Sequence, residues 1–268
     1  MTPQALTSDQ NPRVKRARKL TRRRQREKLG LFLAEGPHVV ETALETGAAA
    51  EEVFCTTSFL ERHAALAERL AASPWPVWVV AETTLEALAD TEHSQGVAAV
   101  ARLPAEAPEP RVQPGLLVLV LEGVGDPGNV GTAVRAAHAA GATMVVLGGG
   151  CCDRFNAKAV RASAGSVFAV PTRRTDATAT LLRRLAEAGA QVVAAEARAE
   201  RLCWEADLRG AAVLVVGSEA RGLSEAVLAA AGERVRVPMP GGAESLNAAM
   251  AAGVLLYEAV RQRHGGGG

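Results

Sequence analysis

Between residues 116 and 239 the chain passes through six short strand candidates, most of them almost unbroken apolar runs. They are LLVLVL (116–121), TMVVLG (143–148), SVFAVP (166–171), AQVVAA (190–195), AVLVVG (212–217) and RVRVPM (234–239). Helical patterns separate them. Runs of this kind suit strands covered by helices on both faces, so the pattern predicts an α/β domain built on a mainly parallel sheet.

The first hundred residues form a smaller α/β pattern. LFLAEG (31–36), EEVFCT (51–56), PVWVVA (76–81) and GVAAVA (96–101) read as strands. PHVVETALETG (37–47) reads as a helix with Pro at its start and Gly at its stop, and SFLERHAALAERLAA (58–72) as one helix capped by Ser58. LPAEAPEPRVQPG (103–115) holds four prolines and two acids, the composition of a semi-rigid linker. The expected organisation is therefore a domain at 1–102, a linker at 103–115 and a second domain at 116–264. The closing Gly265–Gly268 run reads as a tail outside the fold. A chain of 268 residues, 48% of them hydrophobic, can bury two cores.

No apolar run approaches the ~18 residues of a membrane span, and no apolar stretch follows the basic N-terminus as a secretory signal requires. A cytoplasmic protein is expected. The four cysteines show no metal-ligand spacing beyond the adjacent Cys151–Cys152, and no metal is expected. The net charge of +1 is uninformative, but its distribution is not. Ten Lys or Arg stand against one Glu between Arg13 and Lys28, whereas Leu29–Arg102 carries three Arg against eleven acids. A basic segment set on an acidic domain suits a polyphosphate chain, because neutralised phosphates release condensed counterions. Arg13, Lys15, Arg16, Arg18, Lys19, Arg22 and Arg23 are the candidate contacts; a solvated helix face is the structural alternative.

Three loops carry the chemistry. In EGVGDPGNVGTAVRAA (122–137), Asn129 sits where an N-cap would, and Arg135 follows in an alanine-rich helix. In VVGSEARGLSE (215–225), Ser224 and Glu225 are explained by helix capping, which leaves Glu219 at the end of a buried strand unexplained. In VPMPGGAESLNAAM (237–250), Ser245 and Asn247 both stand beside a Gly-Gly turn at the start of a long helix of small residues. Open parallel sheets bind ligands at such strand ends.

Jointly these loops resemble the three signature motifs of the SpoU (TrmH-like) RNA ribose 2′-O-methyltransferases, of the SPOUT superfamily. Asp126-Pro127-Gly128-Asn129-Val130-Gly131 with Arg135 matches the first, Gly217-Ser218-Glu219 with a following Gly the second, and Val237-Pro238-Met239 leading to Ser245-Leu246-Asn247 the third. The likeness covers roughly Leu116–Arg263; the N-terminal hundred residues resemble, more loosely, the family's L30e-like substrate-binding domain. The resemblance implies a deep C-terminal trefoil knot, S-adenosylmethionine as cofactor, a homodimer formed through the catalytic domain and an RNA substrate. It assigns Gly217, Val237, Met239 and Leu246 to the cofactor, and Arg135, Asn129, Glu219, Ser245 and Asn247 to catalysis. The resemblance makes Arg135 the residue expected to activate the ribose hydroxyl. A guanidinium resists deprotonation, so stabilising the developing alkoxide suits it better than acting as a base.

Arg154, Lys158 and Arg161, spaced by four and three residues, would form one basic helix face for RNA, which Arg173 and Arg174 extend. Among substrates, 23S ribosomal RNA is favoured, with tRNA as the alternative. A dinucleotide-dependent oxidoreductase lacks its glycine fingerprint here. A non-catalytic RNA-binding protein on the same fold would have lost Arg135, Asn129 or Asn247, and all three are present.

Overall fold

The computed structural model describes residues 3–8, 10–89 and 94–264, so the Gly265–Gly268 tail lies outside the described residues. The chain forms two compact units: Met1–Ala105 with Asp153–Ala169, and Glu106–Cys152 with Val170–Gly268.

Unit 1 is built on strands β1 (Gln4–Ala5), β2 (Leu31–Glu35), β3 (Ala50–Cys55), β4 (Val77–Val79) and β5 (Val97–Arg102), in the order β1-β4-β3-β5-β2. β1, β4 and β3 are parallel, and β5 runs antiparallel to both β3 and β2. Helices α1 (Pro12–Arg18), α2 (Arg23–Leu29), α3 (Pro37–Glu45), α4 (Thr57–Arg62), α5 (Ala64–Ala72) and α6 (Glu82–Ala89) accompany the sheet. The single helix expected over 58–72 is two. Thr56, not Ser58, caps the first, its Oγ1 accepting the Phe59 N–H at 3.2 Å, and His63 at φ −123°, ψ 50° interrupts the run. The Ser58 hydroxyl instead donates to Glu82.

In unit 2, β6 (Leu117–Glu122) leads through α7 (Pro127–Ala139) to β7 (Met144–Leu147). Two helices of unit 1, α8 (Ala157–Ala162) and α9 (Ser166–Ala169), precede β8 (Thr172–Arg174). Then come α10 (Thr178–Glu187), β9 (Gln191–Ala195), β10 (Arg201–Leu202), β11 (Ala212–Gly217), α11 (Glu225–Ala230), β12 (Glu233–Arg236) and α12 (Ala248–His264). The seven strands are ordered β10-β12-β9-β11-β6-β7-β8, and every pairing is parallel. β6 and β11 are fully buried along nearly their whole length, as a doubly covered parallel sheet requires. One face packs on α7 and α12, through Leu119, Leu121, Val134, Ala137, Ala252 and Leu256; the other packs on α10 and α11, through Val118, Val120, Leu182 and Val227.

Three expectations change. SVFAVP holds a helix at Ser166–Ala169 and no strand, which begins only at Thr172, because Val167 and Phe168 pack into the core of unit 1 and not into the large sheet; a short apolar run does not reveal which. The stretch 153–169, placed with the second domain by sequence, belongs to unit 1 for the same reason, with Phe155 against Phe32 at 4.8 Å. The proline-rich stretch, expected as a semi-rigid linker between the domains, belongs from Glu106 to unit 2, where Ala107 is buried and its carbonyl accepts from Arg173. Among the described residues no helix is long and apolar enough to cross a membrane.

Candidate active site

The site lies in unit 2, where β6 and β11 end side by side, Glu122 paired in register with Gly217. Beyond β6, Asp126 stops the extended chain and caps α7, its Oδ1 accepting the Asn129 N–H at 3.0 Å, with Pro127 in the first turn where its missing N–H costs nothing. Asn129 is therefore not the cap that its position in the sequence suggests. Its side chain is freed. Nδ2 donates to Glu219 Oε1 at 2.6 Å, and Oδ1 accepts from Asn247 Nδ2 at 2.8 Å.

Beyond β11 the chain doubles back over Gly217. A Cβ there would stand 2.3 Å from the carbonyl carbon of Gly222, so only glycine fits, and Gly222 itself turns at φ +64°. The reversal presents Glu219, whose Oε1 also accepts the Ala248 N–H at 2.9 Å. A carboxylate thus meets the first residue of α12, where the helix dipole favours negative charge. Ser224 does not cap α11 through its side chain, contrary to expectation. Its N–H and hydroxyl turn to the Glu122 carboxylate, at 3.0 and 3.2 Å.

Asn247 caps α12, Oδ1 accepting the Ala249 N–H at 2.9 Å, while its amide nitrogen reaches Asn129. One side chain thereby serves both structure and site. Asn129 in the first turn of α7, Glu219 after β11 and Asn247 before α12 form one continuous hydrogen-bonded chain, with Asn129 at its centre.

Beside this chain opens a cleft lined by Val216, Gly217, Glu219, Val237, Met239, Ser245, Leu246 and Ala248. All four residues assigned by sequence to the cofactor lie in its wall, with Glu219 and Ser245. Mostly apolar walls with a few polar groups suit an adenosine, and the bare backbone at Gly217 and Gly222 leaves room for a flat ring. The residues present fit S-adenosylmethionine. Sequence reasoning quoted Ser218 and Gly222 within the second motif without giving them a place in the site, and missed Glu196 and the Ala248 N–H at this cleft and Glu122 behind it. The acid at the end of β6 was the signal available for the last.

Arg135 stands apart from the network. It is exposed on α7, about 9 Å along the axis and about a third of a turn round from Asn129, and makes no hydrogen bond or ion pair among the described residues. Cys151 is buried, its thiol donating to the Leu121 carbonyl, and burial pushes its pKa up.

The basic residues of unit 1 divide. Arg13 and Arg16 are spent on the buried Glu52, at 2.9 and 2.6 Å, with Arg13 also lying over the Trp78 ring. Arg23 pairs with Glu27. Lys15, Arg18, Lys19 and Arg22 are exposed and hold no ion pair among the described residues. The basic face expected of 154, 158 and 161 does not form. Arg154 precedes the helix and is 5% exposed against Phe155, and Arg161 is held by the buried Glu35 and the Ala89 carbonyl; only Lys158 is exposed. Arg173 is likewise engaged, donating to the Ala107 carbonyl.

A model of the SpoU rRNA methylase family matches residues 116–257, and one of the MRM3-like substrate binding domain matches residues 11–99. The 23S rRNA (guanosine(2553)-2′-O)-methyltransferase RlmP of Bacillus subtilis is 33% identical over 94% of this chain and 97% of its own. A solved RNA 2′-O ribose methyltransferase superposes with a TM-score of 0.86 at 36% identity, covering 97% of this chain and 99% of that one. An AdoMet-bound rRNA methyltransferase from Sinorhizobium meliloti does so with a TM-score of 0.83 at 33% identity, covering 96% and 97%. This chain belongs to the SpoU rRNA methylase family of RNA 2′-O-ribose methyltransferases, with S-adenosylmethionine as methyl donor.

Proposed function

We propose that the chain methylates the ribose 2′-hydroxyl of a guanosine in 23S ribosomal RNA, and that the three linked loops of unit 2 are its active site. The observation that carries this is the Glu219–Asn129–Asn247 chain beside a mostly apolar cleft. The substrate follows the named activity of the B. subtilis relative, which shares both units.

Bound S-adenosylmethionine supplies an activated methyl group on a sulfonium. The protein's task is alignment and activation of the hydroxyl. Gly217, Val237, Met239 and Leu246 hold the adenosine against backbone. Glu219 fixes Asn129 and the start of α12, and Asn129 and Asn247 together fix the floor on which the ribose rests. Ser245, in the cleft wall, adds a hydroxyl for the cofactor. Arg135, with its donors unspent, stabilises negative charge as it develops on the ribose oxygen, or holds the neighbouring phosphate, without itself accepting the proton.

RNA is gripped by Lys15, Arg18, Lys19 and Arg22, the exposed cations that run from α1 through the turn after it to the start of α2. The enzyme acts in the cytoplasm as a homodimer: Met250, Val254 and Tyr257, at offsets of four and seven on α12, are 60, 37 and 53% exposed, an apolar stripe suited to a second copy. The knot implied by the family is supported by residues 237–247, which carry the chain from β12 back to Asn129 and Glu219 of earlier loops. Incubation of the enzyme and labelled S-adenosylmethionine with unmodified 23S rRNA and with tRNA, followed by mapping of the labelled nucleotide, tests the substrate. Label confined to tRNA, or to a base, overturns it.

A further inference from the structure

We infer that Glu122 is a positioning residue for cofactor binding: through Ser224 it clamps the far end of the loop that carries Gly217 and Glu219. The inference rests on the cleft being the cofactor site. Glu122 ends β6, beside Gly217 in register. Its carboxylate accepts the Ser224 N–H at 3.0 Å and the Ser224 hydroxyl at 3.2 Å, across a sequence separation of 102 residues.

The loop between those partners is fastened at its near end by its own backbone. Ser218 and Gly222 form an antiparallel bridge, the Gly222 N–H donates to the Ser218 carbonyl at 2.8 Å, and the Arg221 N–H donates to Ser218 Oγ at 3.2 Å. These bonds fix the shape of the reversal and say nothing of where it sits over the sheet. Leu223 and Ser224 decide that. Leu223 is buried in the core on the α10–α11 face, and Ser224 is bound to Glu122, on the strand next to the one the loop left. With the loop held at both ends, Gly222 lies against Gly217 and Glu219 reaches both Asn129 Nδ2 and the Ala248 N–H. Release of Ser224 leaves the reversal intact but loosens its seat, and the cleft wall and the Glu219 carboxylate move with it.

Glu122 touches neither cofactor nor ribose in this account, so its effect must appear as affinity and local order. Calorimetric titration of S-adenosylhomocysteine into the full chain reads affinity without turnover. Glu122→Ala should weaken binding about tenfold, the size of one missing charge-assisted hydrogen bond. Glu122→Gln can still accept the Ser224 N–H and donate to its Oγ, and should restore affinity to within about threefold of the parent. Glu122→Ala with Ser224→Ala should bind no worse than Glu122→Ala alone. Amide exchange at Ala248, 126 residues away in sequence, should quicken in Glu122→Ala and recover in Glu122→Gln. A fall in melting temperature with affinity and Ala248 exchange unchanged would mean a purely structural bond and overturns the inference. Absence of binding by the parent chain would instead overturn the reading of the cleft.

Discussion

Asp126 caps the helix on which Asn129 rides, taking the Asn129 N–H at 3.0 Å and so releasing the asparagine side chain to bridge Glu219 and Asn247. Two polar residues three apart in one turn thus divide the work, the aspartate ending the strand-to-helix turn and the asparagine joining the loops.

Removal of Glu219 should therefore break its hydrogen bonds to Asn129 and to the Ala248 N–H together. Glu219→Ala is expected to lower kcat/KM at least about a hundredfold, the effect of removing a preorganised polar group from a reacting centre, with the fold retained because the residue is exposed. Asp126→Ala should cost about 1 kcal/mol of stability, as removal of an N-cap does, and lower activity through Asn129. Steady-state kinetics and urea unfolding on both variants test the division. Equal activity in Glu219→Ala would refute it.

Gly217→Ala places a methyl group 2.3 Å from backbone that cannot yield without moving the loop. The expected cost is about 1–3 kcal/mol of stability from overpacking, together with loss of cofactor binding. Thermal unfolding and calorimetry read these separately.

The division among the basic residues makes a contrast. Replacing Lys15, Arg18, Lys19 and Arg22 together by Gln should reduce the slope of log affinity for RNA against log salt by about 3, near 0.7 for each phosphate of a single strand that is no longer neutralised. Arg13→Gln with Arg16→Gln should leave that slope alone and destabilise unit 1, because Glu52 is fully buried and would be left without its cationic partners.

Burial of Glu35 raises its pKa above the ordinary 4.5, against the pull of the Arg161 guanidinium. Just above 4.5 the folded state then holds more protons than the unfolded one, so stability falls as pH rises from there through the raised value. Glu35→Gln should flatten this part of the profile, measured as the urea midpoint from about pH 4 to about pH 7. An unchanged slope would place the titration elsewhere.

Much of the fold and the site is legible in the sequence. The parallel sheet follows from β6, β7, β9 and β11, whose apolar runs have no wet face, and the three loops follow from acids and amides at the ends of those strands. What fails has a common cause. SVFAVP and Arg161 are read correctly only once their packing partners in unit 1 are known, and those partners, Phe32 and Glu35, lie more than a hundred residues away. Asn129 reads as a cap because Asp126 and Asn129 are equally good caps by type, and only backbone geometry separates them. The Glu122–Ser224 bond is hidden by distance in sequence, although the carboxylate at the end of β6 is in plain view.

In the mechanism proposed above, Arg135 acts on the ribose hydroxyl while the cleft holds the cofactor. Methyl transfer from labelled S-adenosylmethionine to unmodified 23S rRNA, with the parent chain and Arg135→Ala compared at equal cofactor saturation, tests it most directly. A labelled 2′-O-methyl nucleotide is expected with the parent, at least about a hundredfold less with the variant, and equal cofactor affinity in both, since Arg135 lies outside the cleft wall. Equal rates of transfer, or loss of cofactor binding with the arginine, would contradict it.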